Sequence, residues 1–331
     1  MKAALLFGIR DLRIVEIPKP KCEPDGLIVR VSACGICPTD IRKYLTLDHG
    51  SLHLPMNLGH EWVGVIDEVG PQVCGFHSGM RIIGDTYDGY AEYAALGSET
   101  LRTSFPNGPL SIPSHVSDEE LTFVEPLADC IHAVIDQAQV HAGDTVVIIG
   151  AGQMGLQLTA VAALQGATVI VSEPQPLRRE MALEFGATHT IDPKSNDVLK
   201  EVMALTGGQG VQSVIVSIGD PSLVNLALEM LANRGRAVLF GGFPRPARAD
   251  FDPNLIHYKE LTLTGSEWIG VPPHHRPELY QSAVNLIAEQ KVPVKRLITA
   301  CFPFSRIHEA FDAALDPSSL KIIVRMEESA M

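Results

Sequence analysis

The twelve residues Asp144–Gly155, DTVVIIGAGQMG, decide the fold. A short apolar, β-branched-rich run enters Gly150, Gly152 and Gly155, and the segment Gln153–Gln165 that follows has helical apolar spacing. A strand turning into a helix through Gly-x-Gly-x-x-Gly has a mechanical use for each glycine. Gly150 makes the tight turn, Gly152 lets the backbone approach a pyrophosphate, and Gly155 lets helix and strand pack closely. The helix start at Gln153 and Met154 offers free N–H groups and a positive dipole end to phosphates. The next apolar run, Thr168–Ser172, ends in Glu173. A carboxylate there accepts hydrogen bonds from ribose hydroxyls and repels a 2′-phosphate, which favours NAD; Arg178 and Arg179 nearby keep NADP as the less favoured alternative.

Outward from this stretch the alternation continues. Ser213–Ser217 and Ala237–Phe240 read as buried strands, and Leu177–Phe185, Asn196–Leu205 and Ser222–Leu231 as helices between them. Strand–helix alternation predicts a parallel sheet with helices on both faces. The N-terminal texture differs. Ala3–Phe7, Leu12–Ile17, Leu27–Ser32, Trp62–Val69 and Tyr90–Leu96 are short strand-like runs bounded by turn residues, which predicts a folded β-domain. Ser117 with Glu120 has the form of a reciprocal helix cap. After Gly265 come one amphipathic helix, about 277–290, and a strand-like tail at Lys321–Met326 expected to rejoin the β-domain. The expected organisation is an N-terminal catalytic part at 1–124, a dinucleotide-binding domain inserted at 125–266, and the catalytic domain's remainder at 267–331.

Bulk properties narrow the partners. Acidic residues outnumber basic ones 39 to 26, giving a net charge of −13, so nucleic acid and anionic membranes are not expected partners. No apolar run approaches the ~20 residues of a membrane span. Nor does the opening MKAALLF run lead to a cleavage site, so a cytoplasmic location is expected. The six cysteines, scattered through a chain without an export signal, are expected to be free thiols.

Three separated segments carry metal-ligand chemistry: Cys34-Gly-Ile-Cys37-Pro-Thr39-Asp40, Gly59-His60-Glu61 and Glu125-Pro126-Leu127-Ala128. A thiolate, an imidazole and a carboxylate form a zinc set that leaves a position open. Taken singly, each has a bland alternative: a packed cysteine, a packed or surface histidine, an acid in a helix's first turn. Spacing alone cannot join segments so far apart.

Their order does. With Asp88-Gly89-Tyr90-Ala91-Glu92-Tyr93, the glycine triplet and Thr206-Gly-Gly-Gln-Gly-Val211, the whole chain resembles the zinc-containing branch of the medium-chain dehydrogenase/reductase family. The resemblance implies an α/β fold: a Rossmann-type doubly wound parallel sheet inserted in a mainly-β, GroES-like catalytic domain. It implies that Cys37, His60 and Glu125 bind catalytic Zn2+, with Glu61 an exchanging ligand or a carboxylate behind the ligands. Asp40 would accept a hydrogen bond from the far nitrogen of His60. A carboxylate at position 125 is similar to the sorbitol (polyol) and threonine dehydrogenases. Thr39 would pass the alcohol's proton toward ribose and solvent, with a local helix cap as its alternative role.

The implied activity is reversible hydride transfer from a secondary alcohol of a polyol, sugar, cyclitol or amino alcohol to NAD. The alternatives are an NADPH-dependent carbonyl reductase and a non-catalytic dinucleotide binder. Relatives with a second, structural zinc hold it in a four-cysteine lobe that this chain lacks, so one zinc per subunit and no structural zinc is expected. Some relatives use that lobe in assembly; a homodimer or homotetramer is expected here. Arg42 stands where several relatives have a relay histidine and cannot shuttle protons; it is a candidate contact for a cofactor phosphate or, with Lys43, for an anionic substrate group. Pocket residues are expected from Tyr44–Leu54 and Glu267–His275, with Trp268, His274 and His275 open between pocket and surface. His49, His53 and His132 are expected to be surface or packing residues.

Overall fold

The computed structural model describes residues 1–47 and 53–327. It forms two compact units: Met1–Pro126 with Pro272–Met331, and Leu127–Val271. Glu125, expected at the start of the inserted domain, therefore belongs to the first unit, whose second stretch begins at Pro272.

The second unit is a six-stranded sheet, parallel throughout. Its order is His189–Ile191, Thr168–Ser172, Thr145–Ile149, Val211–Val216, Leu231–Leu239, Thr262–Gly265. With Thr145–Ile149 taken as first, that is the 3-2-1-4-5-6 arrangement, whose switch point lies between the first and fourth strands. The central strands Thr145–Ile149 and Thr168–Ser172 are near-continuous apolar runs because helices cover both faces. Val147, Ile149, Val214, Val216, Leu228 and Ala237 share one such core. The crossover helices Gln153–Leu164, Pro176–Glu184, Val198–Leu205 and Leu223–Met230 lie within a few residues of their expected bounds.

The first unit is mainly β. One sheet runs Ile298–Pro303, Lys321–Arg325, Leu27–Gly35, Glu61–Val69, Arg81–Gly84, with Tyr93–Leu96 also on Leu27–Gly35. The tail does rejoin the N-terminal part: Ile323 pairs with Gly35 and Val324 with Cys34, antiparallel. The same register sets Gly35 opposite Glu61. Lys2–Gly8, Asp11–Glu16 and Met56–Asn57 make a smaller sheet. The Ser117/Glu120 cap is present in both directions, but its helix is one turn, Asp118–Leu121, followed by a separate helix at Val124–Ile131. No described helix is long and apolar enough to cross a membrane. None of the described cysteines is in a disulfide.

Candidate metal centre and dinucleotide site

The metal centre is built where a strand end meets a helix start. Leu27–Gly35 delivers the chain to Cys37, which is the N-cap of the helix Pro38–Thr46. Pro38 fills the first helical position, where its missing N–H costs nothing. The Cys37 sulfur accepts from the Thr39 N–H at 3.4 Å, and Asp40 accepts from the Cys37 N–H at 3.2 Å. Cys37, not Thr39, therefore caps this helix.

On the second segment, Gly59 has φ +79°, and a side chain there would strike Cys34 and the Tyr90 ring. That turn swings His60 toward Cys37. The ligand atoms of Cys37, His60 and Glu61 all lie within 4.8 Å of one another, and this is the one such group among the described residues. Burial pushes the Cys37 thiol up, with the Glu61 charge adding to the effect. Burial alone would depress His60, but the Cys37 and Asp40 charges outweigh it and raise the imidazole well above its ordinary value.

Asp40 differs from its expected role. It is fully buried, yet its oxygen stands 3.7 Å from His60 Nδ1, an electrostatic contact too long for a hydrogen bond, and Nδ1 has no hydrogen-bond partner. The carboxylate instead accepts from the Gly59 N–H at 3.1 Å, the Cys37 N–H and the Tyr90 hydroxyl at 3.2 Å. It ties together the two backbone segments that carry the ligands, and positions His60 through Gly59.

Glu61 is also committed. The Lys321 ammonium donates to its Oε2 and both side chains are fully enclosed. Gly35 makes room for the pair, since a Cβ there would lie 2.7 Å from Glu61 Oε2 and 3.1 Å from Lys321 Cε. Sequence reading missed Lys321: a single lysine opening a strand-like run, 260 residues from its partner, carries no local signal.

Glu125 lies outside the three-residue group, in the first turn of Val124–Ile131. Its charge helps raise the buried Tyr280 phenol, after burial itself and Asp85; the Tyr280 hydroxyl donates to Asp85 at 2.8 Å. Thr39 is half-buried beside Cys37. Over the centre, Tyr87 meets the His60 ring edge-on at 5.0 Å. Of the expected pocket residues, Trp268 is buried and His274 exposed; residues 48–52, His49 included, lie outside the described residues. His132 is a packing residue, bonded to Asp136 at 2.7 Å.

In the second unit Gly150 has φ +98°, and a Cβ at Gly155 would fall 1.9 Å from the Gly150 carbonyl oxygen. A Cβ at Gly152 would meet nothing within 4 Å. The turn is thus forced at two glycines and open at the third. Gly152 caps Gln153–Leu164 without any side-chain hydrogen bond, leaving first-turn N–H groups for an anion, beside the partially exposed Met154. The Gln153 side-chain oxygen is buried and unpartnered. Glu173 is buried at its strand end, accepting from Ala151 N–H at 2.8 Å and Gln175 N–H at 2.9 Å. Each carboxylate oxygen keeps a second lone pair for a ribose hydroxyl. Arg178 is partially buried on the next helix, and Arg179 is tied to the Glu173 carbonyl at 2.8 Å.

A glycine-turned phosphate cradle on a 3-2-1-4-5-6 sheet, together with a Cys/His/Glu cluster in a β-rich unit, defines a metal-dependent dehydrogenase. Residues 23–115 match the alcohol dehydrogenase GroES-like domain and residues 150–289 the zinc-binding dehydrogenase domain. The chain is 30% identical to L-threonine 3-dehydrogenase of Pyrococcus furiosus over 95% of both chains. It is 26% identical to D-arabitol-phosphate dehydrogenase of Enterococcus avium, over 96% of this chain and 94% of the relative. A zinc-binding dehydrogenase from Sinorhizobium meliloti, solved bound to NADP, superposes with a TM-score of 0.83 at 27% identity over 98% of both chains. This chain belongs to the zinc-type medium-chain dehydrogenase family, and is a zinc-dependent alcohol oxidoreductase using a nicotinamide dinucleotide.

Proposed function

We propose that the protein reversibly oxidises a secondary alcohol of a polyol or amino alcohol with NAD. The observation that carries this reading is the convergence of Cys37, His60 and Glu61 behind the Asp40 brace. Cys37 and His60 would hold one zinc per subunit, completed by Glu61 or Glu125. Lys321 already occupies one Glu61 oxygen, so Glu125 is the favoured third ligand in the working state and Glu61 the exchanging one. Bound zinc supplies a Lewis acid that lowers the pKa of an oxygen it contacts. The residues do the rest. Asp40 fixes the ligand-bearing backbone, Thr39 would accept the hydroxyl proton beside Cys37, and Gly152 and the helix it caps would receive the pyrophosphate.

L-Threonine and D-arabitol phosphate, the substrates the two relatives' names give, both fall within this alcohol class. NAD is favoured by Glu173, whose buried carboxylate would crowd a 2′-phosphate. The NADP-bound relative and Arg178 support NADP as the second reading. The test is zinc content per subunit with NAD or NADP reduction over a panel of secondary alcohols, before and after chelation. One zinc, and activity that chelation removes and zinc restores, is expected. Protein that takes up no zinc yet reduces carbonyls with NADPH would overturn the reading.

A further inference from the structure

Lys43 is one turn beyond Asp40 on the helix Pro38–Thr46, and only 6% of its surface is exposed. A lysine so deeply enclosed is normally paired with a carboxylate. Among the described residues none forms an ion pair with it. Asp40 is taken up by Gly59, Cys37 and Tyr90. The Lys43 ammonium instead stands 3.5 Å from the centroid of the Tyr87 ring. A cation–π contact offsets only part of what desolvating an ammonium costs.

The position gives this charge a use. Tyr87 is the residue that meets the His60 ring at 5.0 Å, and it remains 41% exposed. The two contacts in series put the ammonium no more than about 8.5 Å from the centre of the His60 ring. A three- to five-carbon alcohol spans about 5–8 Å from its reacting hydroxyl to a terminal phosphate or carboxylate, at bond lengths near 1.5 Å. An anion at Lys43 would therefore leave the other end of the molecule at the metal centre.

We propose that Lys43, braced on Tyr87, binds an anionic substituent, phosphate or carboxylate, of the alcohol substrate. This rests on the reading of Cys37 and His60 as the centre that holds the alcohol. Lys43 is a specificity residue: it acts on the remote end of the substrate and takes no part in hydride transfer. The other role open to it is a brace for Tyr87, and the test separates the two.

Matched alcohols are compared on zinc-loaded enzyme: a pentitol phosphate against the pentitol, and a β-hydroxy amino acid against its amide. In the wild-type protein kcat/KM for one anionic member should exceed that for its neutral partner, and which pair shows this identifies the anion. Lys43→Met should cut that ratio at least 50-fold, and Lys43→Arg should keep it within about threefold. A ratio unmoved in Lys43→Met, with both members losing rate together, would mean a brace and overturn the proposal, as would a wild-type preference for the neutral members. Calorimetric titration of the same proteins with inorganic phosphate and with acetate needs no turnover. Binding by wild type that Lys43→Met abolishes supports the proposal even if no alcohol is oxidised, in which case the metal-centre reading alone fails. No binding by wild type, or binding the substitution leaves intact, counts against Lys43.

Discussion

Lys321 and Glu61 make the most sharply testable contact in the first unit. Both side chains are shut off from water, and the ammonium and carboxylate are each other's charge partner. Removing one member strands the other as a buried charge, at a cost of about 3–5 kcal/mol, whereas replacing both with neutral groups of similar volume is often nearly neutral. Lys321→Met keeps the apolar stem beside Gly35 and deletes the ammonium, which stands 5.4 Å from the Phe123 ring centroid. Glu61→Gln does the same from the other side. The assay is urea unfolding of metal-free protein followed by Trp62, which is buried next to Glu61, in a Trp268→Phe background so that fluorescence reports the first unit alone. Each single variant should lose about 3–5 kcal/mol, and the double variant should lie within about 2 kcal/mol of the parent. Adding zinc should rescue Lys321→Met more than the parent, because the released carboxylate becomes a ligand and binding stabilises the folded state. Additive single losses, with the double variant as unstable as their sum, would refute the reasoning, since the two charges would then not be holding each other.

Other expectations follow from the second unit. Gly152→Ala should fold normally and weaken NADH binding at least tenfold by fluorescence titration, because its Cβ enters open space meant for pyrophosphate; Gly155→Ala should lower thermal stability instead, because its Cβ meets Gly150. Glu173→Ala should shift the ratio of kcat/KM with NAD to that with NADP toward NADP by at least tenfold, and an unchanged ratio would remove Glu173 from cofactor choice. Burial, with the Glu267 charge, raises Asp129 to about 7, and its Oδ1 is enclosed without a partner. The folded state then holds a proton the unfolded chain releases above about pH 4, so stability falls as pH rises from about 4 to 7, by up to about 4 kcal/mol. Asp129→Asn should raise the unfolding midpoint at pH 8 at least twice as much as at pH 5, where less than half of that cost has been incurred; equal shifts at both would contradict this.

Legibility in the sequence followed how local the physics is. The dinucleotide domain could be read because its strands are buried on both faces, its helices are periodic, and the glycine turn obeys steric rules within six residues. Its elements accordingly fall within a few residues of their expected bounds, apart from the strands Val211–Val216 and Leu231–Leu239, which begin earlier. The β-unit was read less well. Trp62–Val69 and Leu27–Ser32 were visible as apolar runs, but the extension of the latter to Gly35, which delivers Cys37, depends on pairing with Glu61 and Ile323 from distant segments.

The same distinction governs the metal centre. Cys37, His60 and Glu61 could be named from their motifs, because ligand chemistry restricts residue type. What makes them a centre could not, because it is a set of long-range hydrogen bonds with no spacing rule. Asp40 sits three residues from Cys37 in sequence, so a helix cap was foreseeable, yet its bonds to Gly59 and Tyr90 cross 19 and 50 residues. His60 Nδ1 is left without an acceptor of its own: Asp40 Oδ1, which accepts from the Gly59 N–H, stands 3.7 Å away. The imidazole is therefore oriented by the turn at Gly59 and by Tyr87 against its edge, more than by a hydrogen bond to its far nitrogen. Tyr87 consequently joins the ligand side of the centre to the Lys43 side, so a substitution such as Tyr87→Ala should loosen zinc and anion binding together, whereas Lys43→Met should touch only the anion.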